Sequence, residues 1–144
     1  MPGYNTHRIF NYVVLIIIAG FLYNIIFSFF ELKQFIILCA GFYVGTDFIT
    51  PDLDINSTVI KRWGWLKGLW LPYMWLFRHG KSSHNIVFGG MVRLIYIAFI
   101  AFFLYYLIFQ ALPPEAMIQT GYVLIFLAGI LLANALHVIL DMLF

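Results

Sequence analysis

Seven side chains of metal-ligating type, His7, Asp52, Asp54, His79, His84, His137 and Asp141, stand in a chain otherwise poor in ionisable groups. Imidazole and carboxylate together suit zinc first, and manganese or iron after it. The single cysteine, Cys39, sits in an apolar run and offers no thiolate to that group. His137 and Asp141 are spaced i, i+4, so a helix puts both on one face, one turn apart. Asp52 and Asp54 follow Pro51 two residues apart and would diverge on a helix, so an extended turn is needed for both to serve one site. One can then bind while the other orients a ligating histidine. His79 and His84 are five apart, a poor spacing for one helix face, but Gly80 permits a loop that turns both rings inward. Seven candidates exceed what one four-coordinate ion needs. Either two divalent ions bind, which favours hydrolysis of a phosphoester, or some of the seven support the others.

Four further residues belong to the same reading. Asp47 lies one helical turn before the Asp52 pair, as a base or an outer partner, with capping or ion pairing as the ordinary alternative. Arg93 lies two turns into an apolar run, where it neutralises an inward carboxylate, holds a substrate phosphate or snorkels to the interface. Ser83 and Asn134 are outer hydrogen-bonding candidates, the latter sharing a face with His137 and Asp141. Taken singly, each candidate has a plain structural reading: a histidine at a helix end is commonly a surface residue, and Pro-Asp is a common turn.

The elements that must position these residues are apolar. Of 144 residues, 64% are hydrophobic and 10% charged, and the mean hydropathy is +0.97, which a water-soluble globule would not tolerate. The length allows a single domain, residues 1–144. A net charge of +2 with no long basic run excludes a nucleic-acid partner. Apolar runs at 12–30, 35–49, 86–109 and 121–144 predict four transmembrane helices in an all-α protein. The first run is longer than a signal-peptide core and lacks a small-residue cleavage site, so it is read as a retained helix.

Between the second and third runs lies a connection holding all four tryptophans, Trp63, Trp65, Trp70 and Trp75, interleaved with cations. That composition predicts a short interfacial helix broken at Pro72; the alternative is a loop packed on the bundle with its aromatics as filler. Four crossings put Arg8, Lys61, Arg62, Lys67, Arg78 and Lys81 on one side and only Lys33 on the other. The positive-inside rule makes the first side, with both termini, cytoplasmic. Every histidine then falls in one layer with Asp47, Asp52, Asp54 and Asp141. Ionisable groups at membrane depth are costly and usually functional, which favours a metal site over scattered surface residues.

Several stretches in order resemble a known family: Thr6-His7, Thr50-Pro51-Asp52-Leu53-Asp54, Lys61-Arg62-Trp63-Gly64, Trp70-Leu71-Pro72-Tyr73, His79 to His84, Gly89 to Arg93, and His137 to Asp141. The chain is similar to small multi-pass membrane proteins described as uncharacterised metal-binding proteins, relatives of inner-membrane metal-dependent hydrolases. It departs from their pattern in Arg78-His79-Gly80-Lys81-Ser82-Ser83-His84. The resemblance implies divalent-metal binding in a bacterial-type inner membrane, and the relatives imply hydrolysis.

Residues and resemblance together lead to the expectation of a metal-dependent hydrolase of a lipid or membrane-associated ester at the cytoplasmic face. The rival is a non-catalytic, metal-stabilised subunit, homo-oligomeric or part of a larger membrane complex. An ion carrier fits least, because the outer halves of the runs hold few polar groups.

Overall fold

Residues 3–77, 88–114 and 119–144 are described by the computed structural model, apart from the side chains of residues 26, 27 and 29. Helix α1 (Tyr4–Phe21) begins polar and turns apolar after Tyr12, and a backbone break at Leu22 separates it from α2 (Tyr23–Phe29). Helix α3 (Leu32–Asp47) starts at a reciprocal cap, in which the Glu31 amide donates to Gln34 Oε1 at 2.9 Å and the Glu31 side chain accepts from the helix. Pro51–Asp54 forms one 3₁₀ turn, and the short α4 (Thr58–Arg62) follows. A 3₁₀ segment, Gly64–Trp70, then leads into α5 (Leu71–Leu76). The chain continues in α6 (Phe88–Phe109) and α7 (Thr120–Leu143). No strand occurs among the described residues, as the apolar periodicity requires.

The architecture turns on the crossing of α3 and α7, the most extensive contact between described elements. Gly41 and Gly45 are four apart and expose bare backbone on one face of α3. Gly129 does the same on α7, and Ala133 one turn later adds only a methyl. A Cβ on Gly41 would lie 2.0 Å from the Phe126 carbonyl oxygen, and one on Gly129 only 2.2 Å from that of Leu38. Only glycine allows the two backbones to meet so closely. At Gly90 an added Cβ would meet only the end of the Leu131 side chain at 2.8 Å.

Below that crossing the connection folds back as a lid of aromatics. Ile49, Leu53, Val59, Ile60, Trp70, Tyr73 and Ile130 form the buried cluster. Trp70 meets Trp63 edge to face at 5.1 Å and Tyr73 at 5.7 Å, and Trp63 Nε1 donates to the Phe48 carbonyl at 3.1 Å. Burying a large aromatic contributes about 2–3 kcal/mol, so Trp70 fastens the connection to the bundle. Trp65 and Trp75 point outward, 88% and 87% exposed. The tryptophans therefore divide between buried packing and exposed surface. Pro72 does not break a helix here; it sits in the first turn of α5, where its missing N–H costs nothing.

Two described helices, α6 and α7, are long and apolar enough to cross a membrane by length and composition. Of the four crossings expected, these are the two that a single described helix is long and apolar enough to make. Helix α1 spends its first turns on Asn5, Thr6, His7 and Arg8, and α3 has only 16 residues.

Candidate metal centre

Helix α1 presents two polar stripes. His7 and Asn11, one turn apart, face α3 and α7: Asn11 Nδ2 donates to Thr46 Oγ1 at 3.2 Å and to the Ala133 carbonyl at 3.1 Å. That pair of bonds sets the depth of α1 against the α3–α7 crossing, and so places the His7 ring beside α7. The rings of His7 and His137 stack at 3.7 Å, 6° from parallel. His7 Nε2 lies 3.2 Å from Asp141 Oδ1, and His137 Nε2 lies 3.5 Å from Asp141 Oδ2. One ligand atom from each of the three falls within 4.8 Å of the other two. Both histidines are 3% exposed, so water does not screen the group.

Asp52 approaches from the other side, with Oδ1 3.6 Å from His137 Nε2. Its turn is locally determined: Pro51 opens the 3₁₀ helix, and Ser57 Oγ donates to the Asp52 carbonyl at 2.8 Å while capping α4. Asp54, on the same turn, is buried. Arg93 is also fully buried, and Tyr73, Asp54 and Asp52 are the charged or polar groups that bear on it. An enclosed guanidinium among carboxylates is placed to neutralise them. Burial pushes the Tyr73 phenol up, and Arg93 opposes that shift. Asn134, one turn before His137, is buried, with neither amide atom hydrogen-bonded among the described residues. His79, Ser83 and His84 lie outside the described residues.

The second stripe of α1, Tyr4, Arg8 and Tyr12 at i, i+4, i+8, converges on Asp47, which has no exposed surface. Tyr4 donates to Asp47 Oδ1 at 2.6 Å and Tyr12 donates to Oδ2. Arg8 Nε pairs with Oδ1 at 3.0 Å, and Arg62 Nη1 donates to the same oxygen. Burial first, and then the bond to Asp47, pushes the Tyr4 phenol up to about 12. Asp47 is thus the tie between α1, α3 and α4.

The family model described as "Uncharacterized metal-binding protein (DUF2227)" matches residues 2–144. The chain belongs to this family. An "Uncharacterized protein" of Aquifex aeolicus (strain VF5) is 42% identical over 59 residues, 40% of this chain and 41% of that protein. The chain thus matches about two fifths of that relative's length. No solved structure matches.

Metal binding by the family makes the donor set worth testing on its own terms. Donors about 2.0–2.2 Å from a tetrahedral ion sit roughly 3.3–3.6 Å apart. The separations of 3.2, 3.5 and 3.6 Å along His7, Asp141, His137 and Asp52 lie close to that spacing, with Asp141 turning a different oxygen to each histidine. The Asn134 amide beside them adds a buried polar group of the kind that accompanies a bound ion or water. His7, His137 and Asp141 form the candidate metal site, with Asp52 on its flank.

Sequence reasoning missed Asn11, Thr46, Tyr4, Arg8, Tyr12 and Arg62. The i, i+4 repeats in Tyr4-Arg8-Tyr12 and His7-Asn11, at the polar end of an apolar helix, were the available signal.

Proposed function

We propose that this member of the metal-binding family is an integral membrane hydrolase that acts on a lipid or other membrane-associated ester at the cytoplasmic face. The observation that carries this is the group His7, His137 and Asp141, three protein donors flanked by a carboxylate with solvent access. Three protein donors, one short of a closed tetrahedral set, are the count of catalytic rather than structural zinc. A divalent ion there supplies a Lewis acid that polarises an ester oxygen and acidifies water at neutral pH. His7 and Asp141 tie α1 to α7, and His137 shares that carboxylate. Asp52, whose side chain is 18% exposed, either completes the ligand set or takes a proton from the attacking water. Asp54 and Arg93 balance charge beneath it. Asn134 steadies the surroundings, and Asp47 holds the helix that carries His7. His79 and His84, from the connection before α6, complete a second ion site in this reading; zinc is the first candidate, then manganese or iron.

Membrane insertion in four crossings is part of the same reading, with α1 and α2 serving together as one. Its support is apolar surface facing outward, such as Ile95 at 64%, Phe99 at 65% and Ile108 at 71% exposed along α6. Basic residues Arg8, Lys61, Arg62 and Lys67 then lie on the cytoplasmic side with both termini.

The burial of His7 and His137 favours one rival, a metal-stapled subunit of a homo-oligomer or larger membrane complex. Metal-loaded protein in detergent, screened against phosphoester and carboxylester lipids with His137→Ala as control, separates the two. Turnover lost with the ion supports the hydrolase. No turnover of any lipid, with Asp52→Asn also releasing the ion, gives the site to the subunit.

A further inference from the structure

The geometry points to a phosphate-binding clamp formed by Arg8 and Arg62, which makes the substrate class of the proposed hydrolase a phosphoester. Both guanidinia meet Asp47 Oδ1, so two cations share one carboxylate and leave a local surplus of one positive charge. Asp47 is wholly buried, yet the Arg8 and Arg62 side chains are 42% and 32% exposed. Arg8 engages Asp47 through Nε and also hydrogen-bonds Tyr12, and Arg62 engages Asp47 through Nη1, so neither fork of five N–H donors is used up by these contacts.

A single arginine would suffice to neutralise Asp47. The second is held just as firmly: the Arg62 guanidinium lies 4.9 Å over the Tyr4 ring, and that of Arg8 5.8 Å over Tyr12. Two planar forks on one anchor, each partly exposed, match the oxygens of a phosphate better than one mobile lysine does. Lys61 and Lys67, exposed nearby in the chain, add to the positive field.

Position connects the clamp to the metal centre. Arg8 directly follows His7, so their Cα atoms stand about 3.8 Å apart. Thr46, which binds the His7 stripe through Asn11, directly precedes Asp47. A phosphate held by the clamp is therefore bound by the same turns of α1 and α3 that position the donors. Arg93, fully buried, has no such access. Phosphate binding rests on the hydrolase reading only for its catalytic meaning, because the clamp needs no ion to hold an anion.

The test is calorimetric titration of the full chain in detergent with inorganic phosphate and, separately, with dioctanoyl phosphatidate, alongside measurement of metal content. Wild type should bind at least one of them, and Arg62→Gln or Arg8→Gln should weaken that binding about tenfold with metal content unchanged. Tighter binding of phosphatidate than of phosphate assigns a lipid headgroup, and the reverse assigns a soluble phosphate compound. Should Arg62→Gln lose its fold, Arg62→Lys keeps the tie to Asp47 without the fork and should weaken binding several-fold. Wild-type affinity in folded variants, or no binding of either ligand by wild type, overturns the clamp. Clamp binding by wild-type protein that proves to hold no metal leaves the clamp standing and removes the hydrolase.

Discussion

His7 Nε2 lies 3.2 Å from Asp141 Oδ1, so the first and last described helices are joined through one imidazole and one carboxylate. The contact exists only because α1 and α7 both pack on α3, and it makes the candidate metal site a fastener of the fold.

Metal content should follow from that. Purified protein should carry one or two divalent ions, and His137→Ala or Asp141→Asn should lower occupancy. An ion at 100 times its Kd stabilises by about 2.7 kcal/mol, so chelation should drop Tm by about 5–10 °C. Elemental analysis with a melting curve before and after chelation checks both. A Tm indifferent to chelator in fully loaded protein would contradict the role of fastener.

Crowding the helix crossing should disturb the site from a distance. Gly41→Ala forces a Cβ to 2.0 Å from the Phe126 carbonyl oxygen, and overpacking of that kind costs about 1–3 kcal/mol or more. Because the same crossing brings the Asp52 turn to His137, metal affinity should fall as well. Gly20→Ala, with nothing within 4 Å, is the control and should be neutral or stabilise by up to about 1 kcal/mol. Equal behaviour of the two variants would dissociate crossing from site.

The Asp47 tie predicts a loss and a pH dependence. Asp47→Asn should cost about 2–3 kcal/mol, less than removing one partner of a fully buried pair, because both guanidinia reach solvent. Tyr4, pushed up to about 12, stays a proton donor well past the ordinary tyrosine range. A raised pKa means that its contribution is intact below about pH 10 and fades as pH climbs to the folded value. Tyrosine absorbance titrated from pH 9 upward should show a late phase that Tyr4→Phe removes.

Topology has its own check. Reporter fusions at Pro113 and at the C-terminus should report opposite sides of the membrane, the C-terminus cytoplasmic. Reports from one side would break the proposed layer of basic residues and donors.

Local facts were legible in the sequence. Apolar runs without alternation require helices, and His137 and Asp141 at i, i+4 share a helix face in whatever fold contains them. The choice of His7, Asp52, His137 and Asp141 as candidates needed only residue type and the rarity of charge in an apolar chain. Their convergence did not follow from spacing. It depends on the angle and depth at which α3 crosses α7, set by Gly41, Gly45, Gly129 and Ala133, and on Asn11 reaching both helices. Asp47 shows the same division. Its sequence position suits a base, a cap or an ion pair equally, and only packing reveals two tyrosines and two arginines around it. Periodicity is a property of one segment, whereas the place where a carboxylate finds its partners is fixed by contacts between segments, whose closeness is limited by atoms that no single segment contains.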